Sequence, residues 1–247
     1  MMIDNQKLHN ALSLLMGSER ERRGIGTLGE KTLHAVLKLY YEEDKRYHEQ
    51  KIGSFYADIA RDGKITEIHT GNFYTLRKKL DFFLISHKVT VVFPIALNKT
   101  VCWIDPESGA VVSRRRSPKG GRIYDVLREL PAIKECIGDQ NLTLRILLAD
   151  MEDYRLLDGR GRDKKIGATK LERIPTLLAE EIDLCDKRDY MMLLPPELSD
   201  SFSREEFERA VRLERVAAHR ALKLFIDLGF VRQSGKDGRK YIYSIVQ

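Results

Sequence analysis

The dipeptide Asp62-Gly63, set between two short alternating runs, constrains this chain more than any other feature. A two-residue type I′ turn needs φ > 0 at both central positions, and Asp-Gly is among the pairs that meet this at least cost. Such a turn fixes the register of the strands around it. Arg61 falls opposite Lys64, Ala60 opposite Ile65, Ile59 opposite Thr66, and Asp58 opposite Glu67. Alternation then puts Tyr56, Asp58, Ile65, Glu67 and His69 on one face, and Phe55, Ala57, Ile59 and Ile68 on an apolar core face. Directly opposed residues have Cβ atoms about 4.5–5.5 Å apart, and like charges so placed are destabilising. Two readings follow. A divalent hard cation neutralises the pair, since Mg²⁺ is held by one or two carboxylates together with substrate phosphates. Otherwise both acids are solvated on an exposed hairpin.

The chain around this hairpin reads as alternating helices and strands. Residues 1–23 form a helix with a stripe of Leu8, Ala11, Leu12, Leu15 and Met16, and Glu19 to Arg23 is a solvated charged run. Gly24 to Thr27 interrupt it. A second helix runs from near Leu28 to Tyr41, burying Leu33, Val36, Leu37 and Tyr40. Glu30 sits on or beside that buried stripe, which is costly unless it is paired or functional. A first-turn Glu complementing the helix dipole is the alternative. His34, one turn on, reads as a packing or capping histidine. A strand over 47–52 precedes the hairpin, and a basic amphipathic helix capped by Asn72 follows it. Its core side is Phe73, Leu76, Leu80 and Phe83, with Arg77, Lys78 and Lys79 on the other side. Val89 to Phe93 is a β-branched run that Pro94 bounds.

Farther on, 99–105 and 110–113 read as a hairpin, and 114–122 as a basic, flexible loop, of a kind that either contacts nucleic acid or is simply solvated. A helix over 123–137 is interrupted at Pro131, and 142–148 is a buried strand. The stretch 155–170 is a second basic, Gly-punctuated loop. Its Arg160, Arg162, Lys164 and Lys165 are of the type that clamps phosphates. A helix over 171–183 closes the unit. The order helix, three strands, helix, strand gives an α/β sandwich with a mixed sheet.

Past Leu194-Pro195-Pro196 the pattern changes. Ser203-x-x-Glu206 is a capping box. It opens a short helix with Phe207 and Ala210. A turn at 211–213 leads to a longer helix carrying Val216, Ala217, Ala221, Leu224, Phe225 and Leu228, which Gly229 ends. A hairpin over 230–246 follows. Helix, turn, helix and β wing make a winged-helix pattern, bearing His219, Arg220, Lys223, Lys236, Arg239 and Lys240. In helix-turn-helix modules the second helix enters the major groove, though such modules also make protein contacts.

A net charge of +6 tilts the chain toward a polyanionic partner. Cys102, Cys136 and Cys185 are odd in number and widely spaced. That argues against a disulfide framework or zinc ribbon and for a reducing compartment. With no apolar run of membrane length and no leader-like start, the expectation is a cytoplasmic protein with no membrane partner.

Glu30 on a first helix, Asp58 on the second strand and Glu67-Ile68-His69 on the third, then a basic helix and a hydrophobic strand, resemble the PD-(D/E)XK nuclease superfamily. The resemblance spans about residues 25–95, and its specificity lies in the order of elements and acids. It implies a restriction-endonuclease-like α/β/α core with a mixed sheet over 25–193. A helical arm over 1–24 precedes it, and a C-terminal winged helix-turn-helix domain over 194–247 follows. The implied activity is Mg²⁺- or Mn²⁺-dependent endonucleolytic hydrolysis of DNA. Asp58 and Glu67 would be the metal ligands, Glu30 would assist, and His69 would stand in the catalytic set. Arg77 and Lys78 join the loop and winged-helix cations as nucleic-acid contacts. The expected partner is duplex or branched DNA; RNA ranks behind it, and a homodimer stays open. Two positions depart from the family. His69 replaces the third-strand lysine, whose place Lys51 or Lys78 could fill, and Ala57 replaces the proline before the aspartate. The departures leave an alternative: a catalytically inactive, nuclease-like DNA-binding or regulatory protein.

Overall fold

In the computed structural model, residues 3–23, 31–160 and 167–246 are described. The Asp62-Gly63 turn has φ of 49° and 73°, and Arg61 pairs with Lys64, Ala60 with Ile65 and Ile59 with Thr66. Strands β2 (Phe55–Arg61) and β3 (Lys64–Ile68) therefore stand in the register that the turn dictates. β1 (His48–Ile52) completes an antiparallel meander on β2.

Helix α3 (Tyr74–Phe83) crosses over and returns the chain as β4 (Lys88–Ile104), parallel to β3. Asn72 caps α3 as expected, its Oδ1 accepting from the Tyr74 N–H at 2.9 Å. Strand β4 does not stop at Pro94 but runs on to Ile104, 17 residues in all. The missing N–H costs little there. The Val92 carbonyl faces β3 and accepts from the His69 N–H, so Pro94, two residues on, faces the same side after β3 has ended.

β5 (Val111–Arg116) pairs with β4, so Arg114, Arg115 and Arg116 lie in an exposed strand rather than a loop. The helix expected over 123–137 is two 3-10 segments, Ile123–Arg128 and Leu130–Cys136. β6 (Leu142–Leu156) then lies parallel to β4. The helix expected over 171–183 is a strand, β7 (Thr169–Leu184), antiparallel to β6. Pro175 would break a helix interior. In the strand it sits at a register shift beside Met151, on the sheet edge, where proline is tolerated. The seven-stranded sheet has the order β1-β2-β3-β4-β6-β7, with β5 attached to β4.

Both faces of this sheet are covered, which is why β4 and β6 read as near-continuous apolar runs. Val89, Val91, Phe93, Leu144 and Ile146 point to the layer of α3 and the 3-10 segments. Val92, Leu147, Ala149 and Met151 point to α1 (Asn5–Arg23) and α2 (Lys31–Tyr41). The expected stripes of these helices are buried: Leu8 and Ala11 on α1; Leu33, Val36, Leu37 and Tyr40 on α2. The expected break over 24–27, the helix start near Leu28, and Glu30 lie outside the described residues.

The C-terminal part comprises β8 (Ser201–Ser203), α4 (Arg204–Val211), α5 (Arg215–Asp227), β9 (Val231–Asp237) and β10 (Lys240–Ile245). Its three-stranded sheet has the order β8-β10-β9. The capping box forms, with the Ser203 N–H donating to Glu206 Oε2 at 2.6 Å and the Glu206 N–H to Ser203 Oγ at 3.3 Å. Gly229 follows α5 at φ +77°. Phe207, Ala221, Leu224 and Phe225 join the same core cluster as α3 and the 3-10 segments. Two ion pairs stitch the seam, Arg128–Glu214 at 3.2 Å and Lys134–Asp227 at 3.0 Å. Val216, expected inside, is 61% exposed on the outer face of α5.

Candidate functional site

Asp58 and Glu67 meet where β2 and β3 part. The ladder of paired residues ends at Ile59–Thr66. Beyond it the side chains take over the backbone's hydrogen bonds. The Asp58 N–H donates to Glu67 Oε1 at 3.3 Å, and the Ile68 N–H donates to Asp58 Oδ2 at 2.8 Å. This exchange breaks the alternation expected along β2. Phe55 and Ala57 pack in the layer of α3, together with Ile65, rather than on the opposite face. The two acids are therefore adjacent, but each is partnered from a different layer. His34 Nε2 of α2 donates to Asp58 Oδ2 at 3.0 Å, whereas Lys79 Nζ of α3 donates to Glu67 Oε2 at 2.6 Å.

The seam is nearly dry. Asp58 retains 8% and Glu67 2% of its accessible surface. Burial pushes the Glu67 carboxyl up to about 7, the Asp58 charge adds to this, and Lys79 only partly opposes both. Burial also works against ionised Asp58. The His34 hydrogen bond and charge, with the Ile68 N–H, outweigh it and hold that carboxyl below its ordinary range. One acid of the pair stays ionised, while the other is poised near neutrality.

As a place for a hard cation, the seam offers oxygen donors of the right type. Among the described residues no group of three or more His, Cys, Asp or Glu gathers to hold a metal. Two carboxylates suffice for Mg²⁺ when waters and phosphate oxygens fill the other positions. Asp58 and Glu67 fit that role provided Lys79 shares Glu67.

Two residues outside the expected site belong to this centre. Helical spacing predicts Lys79 on the outer side of α3 with Arg77 and Lys78, which are indeed exposed. Lys79 lies three residues after Leu76 and one before Leu80, on the border of the buried stripe, and that position is the signal for its inward reach. His34 reaches Asp58 because α2 packs against β3. His69 is elsewhere: its Nε2 bonds the Asn72 carbonyl at 3.0 Å and its ring lies 5.5 Å from that of Phe73. Neither acid's hydrogen bonds include it.

The expected nucleic-acid contacts form separate groups. On α5 the outer face presents Val216, His219, Arg220 and Lys223, and Lys236, Arg239 and Lys240 are exposed at the β9–β10 hairpin. Lys236 leans over the Tyr241 ring at 4.8 Å. Arg160 is exposed, and Arg162, Lys164 and Lys165 lie outside the described residues. Among the described residues no helix is long and apolar enough to cross a membrane.

Comparison with known proteins finds an uncharacterised protein of Treponema pallidum (strain Nichols), 28% identical over 141 residues. The match takes in 57% of this chain and 56% of that protein's length. No solved structure matches the chain significantly. A family match covers residues 31–185, from the start of α2 to the end of β7, which takes in the whole seven-stranded sheet. The chain accordingly belongs to the family described as domain of unknown function DUF8091.

Proposed function

We propose that this protein is a metal-dependent endonuclease of the PD-(D/E)XK type, with a C-terminal winged helix that grips DNA. The observation that carries the reading is the convergence of Asp58, Glu67 and Lys79 in one buried seam. The resemblance implies two acids and a lysine. The third strand carries His69 in the lysine's place, and α3 supplies Lys79 instead. The element order supports the reading too. Helix, antiparallel β1-β2-β3, helix, and β4 parallel to β3 is the order that the acid pattern implied.

In this mechanism Asp58 and Glu67 would hold a divalent cation, which would supply Lewis-acid chemistry to the scissile phosphate and to the attacking water. His34 fixes the orientation of the Asp58 carboxylate. Lys79 favours the ionised form of Glu67 against its burial and places a positive charge beside the phosphate. Glu67, poised near pH 7, accepts a proton or a cation at little cost. The outward residues of α5, with the cations of the β9–β10 hairpin, face the duplex.

The test is cleavage of supercoiled, linear, branched and single-stranded DNA, and of structured RNA, by the full chain with Mn²⁺. Expected is Mn²⁺-dependent cutting of DNA that falls at least a hundredfold in Asp58→Ala, Glu67→Ala and Lys79→Ala and persists in His69→Ala. Absence of cutting on every substrate, with nucleic acid still bound, would establish the second reading, a nuclease-like protein that binds without cutting. That reading is favoured by the pairing of both acids with basic side chains, which neutralises the seam without a metal.

A further inference from the structure

A cleft of about 570 Å³ lies between the bulge of β4 at 95–99, the loop 117–122, β7 and the end of α4. Lys99, Lys119, Arg122, Arg128, Arg173 and Arg212 line it against a single acid, Asp125. Lys119 and Arg122 come from the basic stretch 114–122, Lys99, Arg128, Arg173 and Arg212 from elsewhere in the chain, and none of the six belongs to the Asp58–Glu67 seam.

Four of the six are held in place by the protein. Arg173 clasps Asp153 through Nε and Nη2 at 2.5 and 3.0 Å, and Lys99 lies 4.0 Å from the same carboxylate. Arg128 pairs with Asp125 and Glu214. Arg122 donates to the Ala210 carbonyl at 3.0 Å and lies 3.7 Å from Glu197. Asp153 is 1% exposed and lies within 4.0 Å of Lys99, Arg155 and Arg173. Burial, together with the neighbouring Arg173, Arg155 and Lys170, holds the Lys99 amine below its ordinary range. The other two lining cations, Lys119 and Arg212, are exposed and make no ion pair among the described residues.

The backbone is shaped to keep this cleft narrow. A Cβ on Gly121 would meet the Ala96 carbonyl oxygen and Ile95 Cγ2 at 2.6 Å each, and one on Gly120 would meet the Leu97 oxygen at 2.7 Å. The loop therefore lies flat on β4, tied by Gly121 N–H to Ala96 O at 2.8 Å and Ser117 N–H to Lys99 O at 2.7 Å. Arg212 has a left-handed φ of 52°, an unfavourable conformation for a residue with a side chain, and it occurs at the rim of the cleft. A second groove of about 350 Å³ adjoins through Pro118 and Gly120 and adds Arg115 and Arg116. Together they form one basic track from the exposed strand β5 to the start of α5.

We propose that this track seats consecutive backbone phosphates of a nucleic-acid strand, a contact distinct from both the α5 face and the hydrolytic seam. A track of cations at several positions suits a chain of phosphates more than one isolated anion, and the wall at Arg212 leads directly into α5. The inference rests on the nucleic-acid half of the proposed function and not on cleavage.

The experiment measures affinity of the full chain for a labelled duplex and a labelled single strand across a salt series. Wild type and Lys119→Gln/Arg212→Gln are compared. Every phosphate left without its cation lowers the slope of log K against log salt by about 0.9, so the double substitution is expected to reduce the slope by about 2. Affinity at low salt should fall at least tenfold. An unchanged slope in the double variant overturns this proposal alone and leaves the α5 contact standing. No binding by wild type overturns both readings. Absence of cleavage by wild type, with the slopes as expected, overturns only the hydrolytic reading. If sodium triphosphate binds wild type but not the double variant, while nucleic acid ignores the substitution, the occupant is a small phosphate compound and the nucleic-acid assignment fails.

Discussion

Lys79 Nζ stands 2.6 Å from Glu67 Oε2, while the other oxygen of that carboxylate takes the backbone N–H of Asp58. One lysine from a helix thus neutralises an acid that two strands bury. Behaviour of the seam with pH, metal and mutation follows from this contact.

Removing Lys79 leaves Glu67 buried with no cation. Breaking a fully buried pair typically costs about 3–5 kcal/mol. The lysine side chain keeps 23% of its surface, so solvent compensates in part and about 1–3 kcal/mol is expected for Lys79→Ala at pH 8. At pH 5 Glu67 carries its proton whether or not Lys79 is present, and the cost should shrink. Urea denaturation at the two pH values checks this, and equal losses at both would rule out the ion pair as the cause.

Stability should depend on pH through Glu67 with a definite sign. Its carboxyl, ordinarily near 4.5, is raised to about 7 in the folded chain. Below the unfolded value both states hold the proton. Between about 4.5 and 7 only the folded state does, so stability falls as pH rises through that window, by on the order of 3 kcal/mol. Asp58 acts oppositely: its lowered carboxyl contributes stability that disappears as pH falls below the ordinary aspartate range. In Glu67→Gln the decline between 4.5 and 7 should vanish. Unfolding midpoints across pH 4–8 read it directly.

Divalent cations should stabilise the protein more at pH 8 than at pH 5, because only ionised Glu67 is a ligand. At a metal concentration ten times Kd the gain is about 1.4 kcal/mol, worth about 3–5 °C in Tm for a chain of this size. Thermal unfolding with Mn²⁺ or Mg²⁺ checks it. An equal shift in Asp58→Asn would place the ion elsewhere.

Two glycines should fail for different reasons. Gly121→Ala forces a Cβ to 2.6 Å from the Ala96 carbonyl, and overpacking of this kind costs about 1–3 kcal/mol. Gly63 has open space around it but a φ of +73°, so Ala there costs about 1 kcal/mol through backbone strain. Asn, which tolerates the left-handed region, should restore most of the loss at 63 and none at 121. Chemical denaturation of the four variants separates the two causes.

The hairpin and its register as far as Ile59–Thr66 were legible because a two-residue turn is a local device whose geometry follows from φ alone; the expected Asp58–Glu67 pair on one face was not, because the ladder ends before it and the two acids take partners from different layers. The stripes of α1, α2 and α3 were legible for a similar reason, since period 3.6 reports burial directly. The stretch 171–183 misled because Leu171, Ile174, Leu178 and Ile182 recur at helical spacing; pairing with β6 overrode that period, and Pro175 was the local sign of it.

What the sequence determined by itself was the turn, the acids beside it, the Ser203–Glu206 capping box and the helix-turn-helix-hairpin order at the C-terminus, all set by contacts within a few residues. Tertiary structure alone decided that Lys79 and not His69 meets Glu67, that His34 meets Asp58, and that Lys99, Lys119, Arg173 and Arg212 share one cleft. Those groups come from separate segments, and only the packing of both faces of the sheet, driven by apolar burial rather than by local preference, brings them within reach of one another.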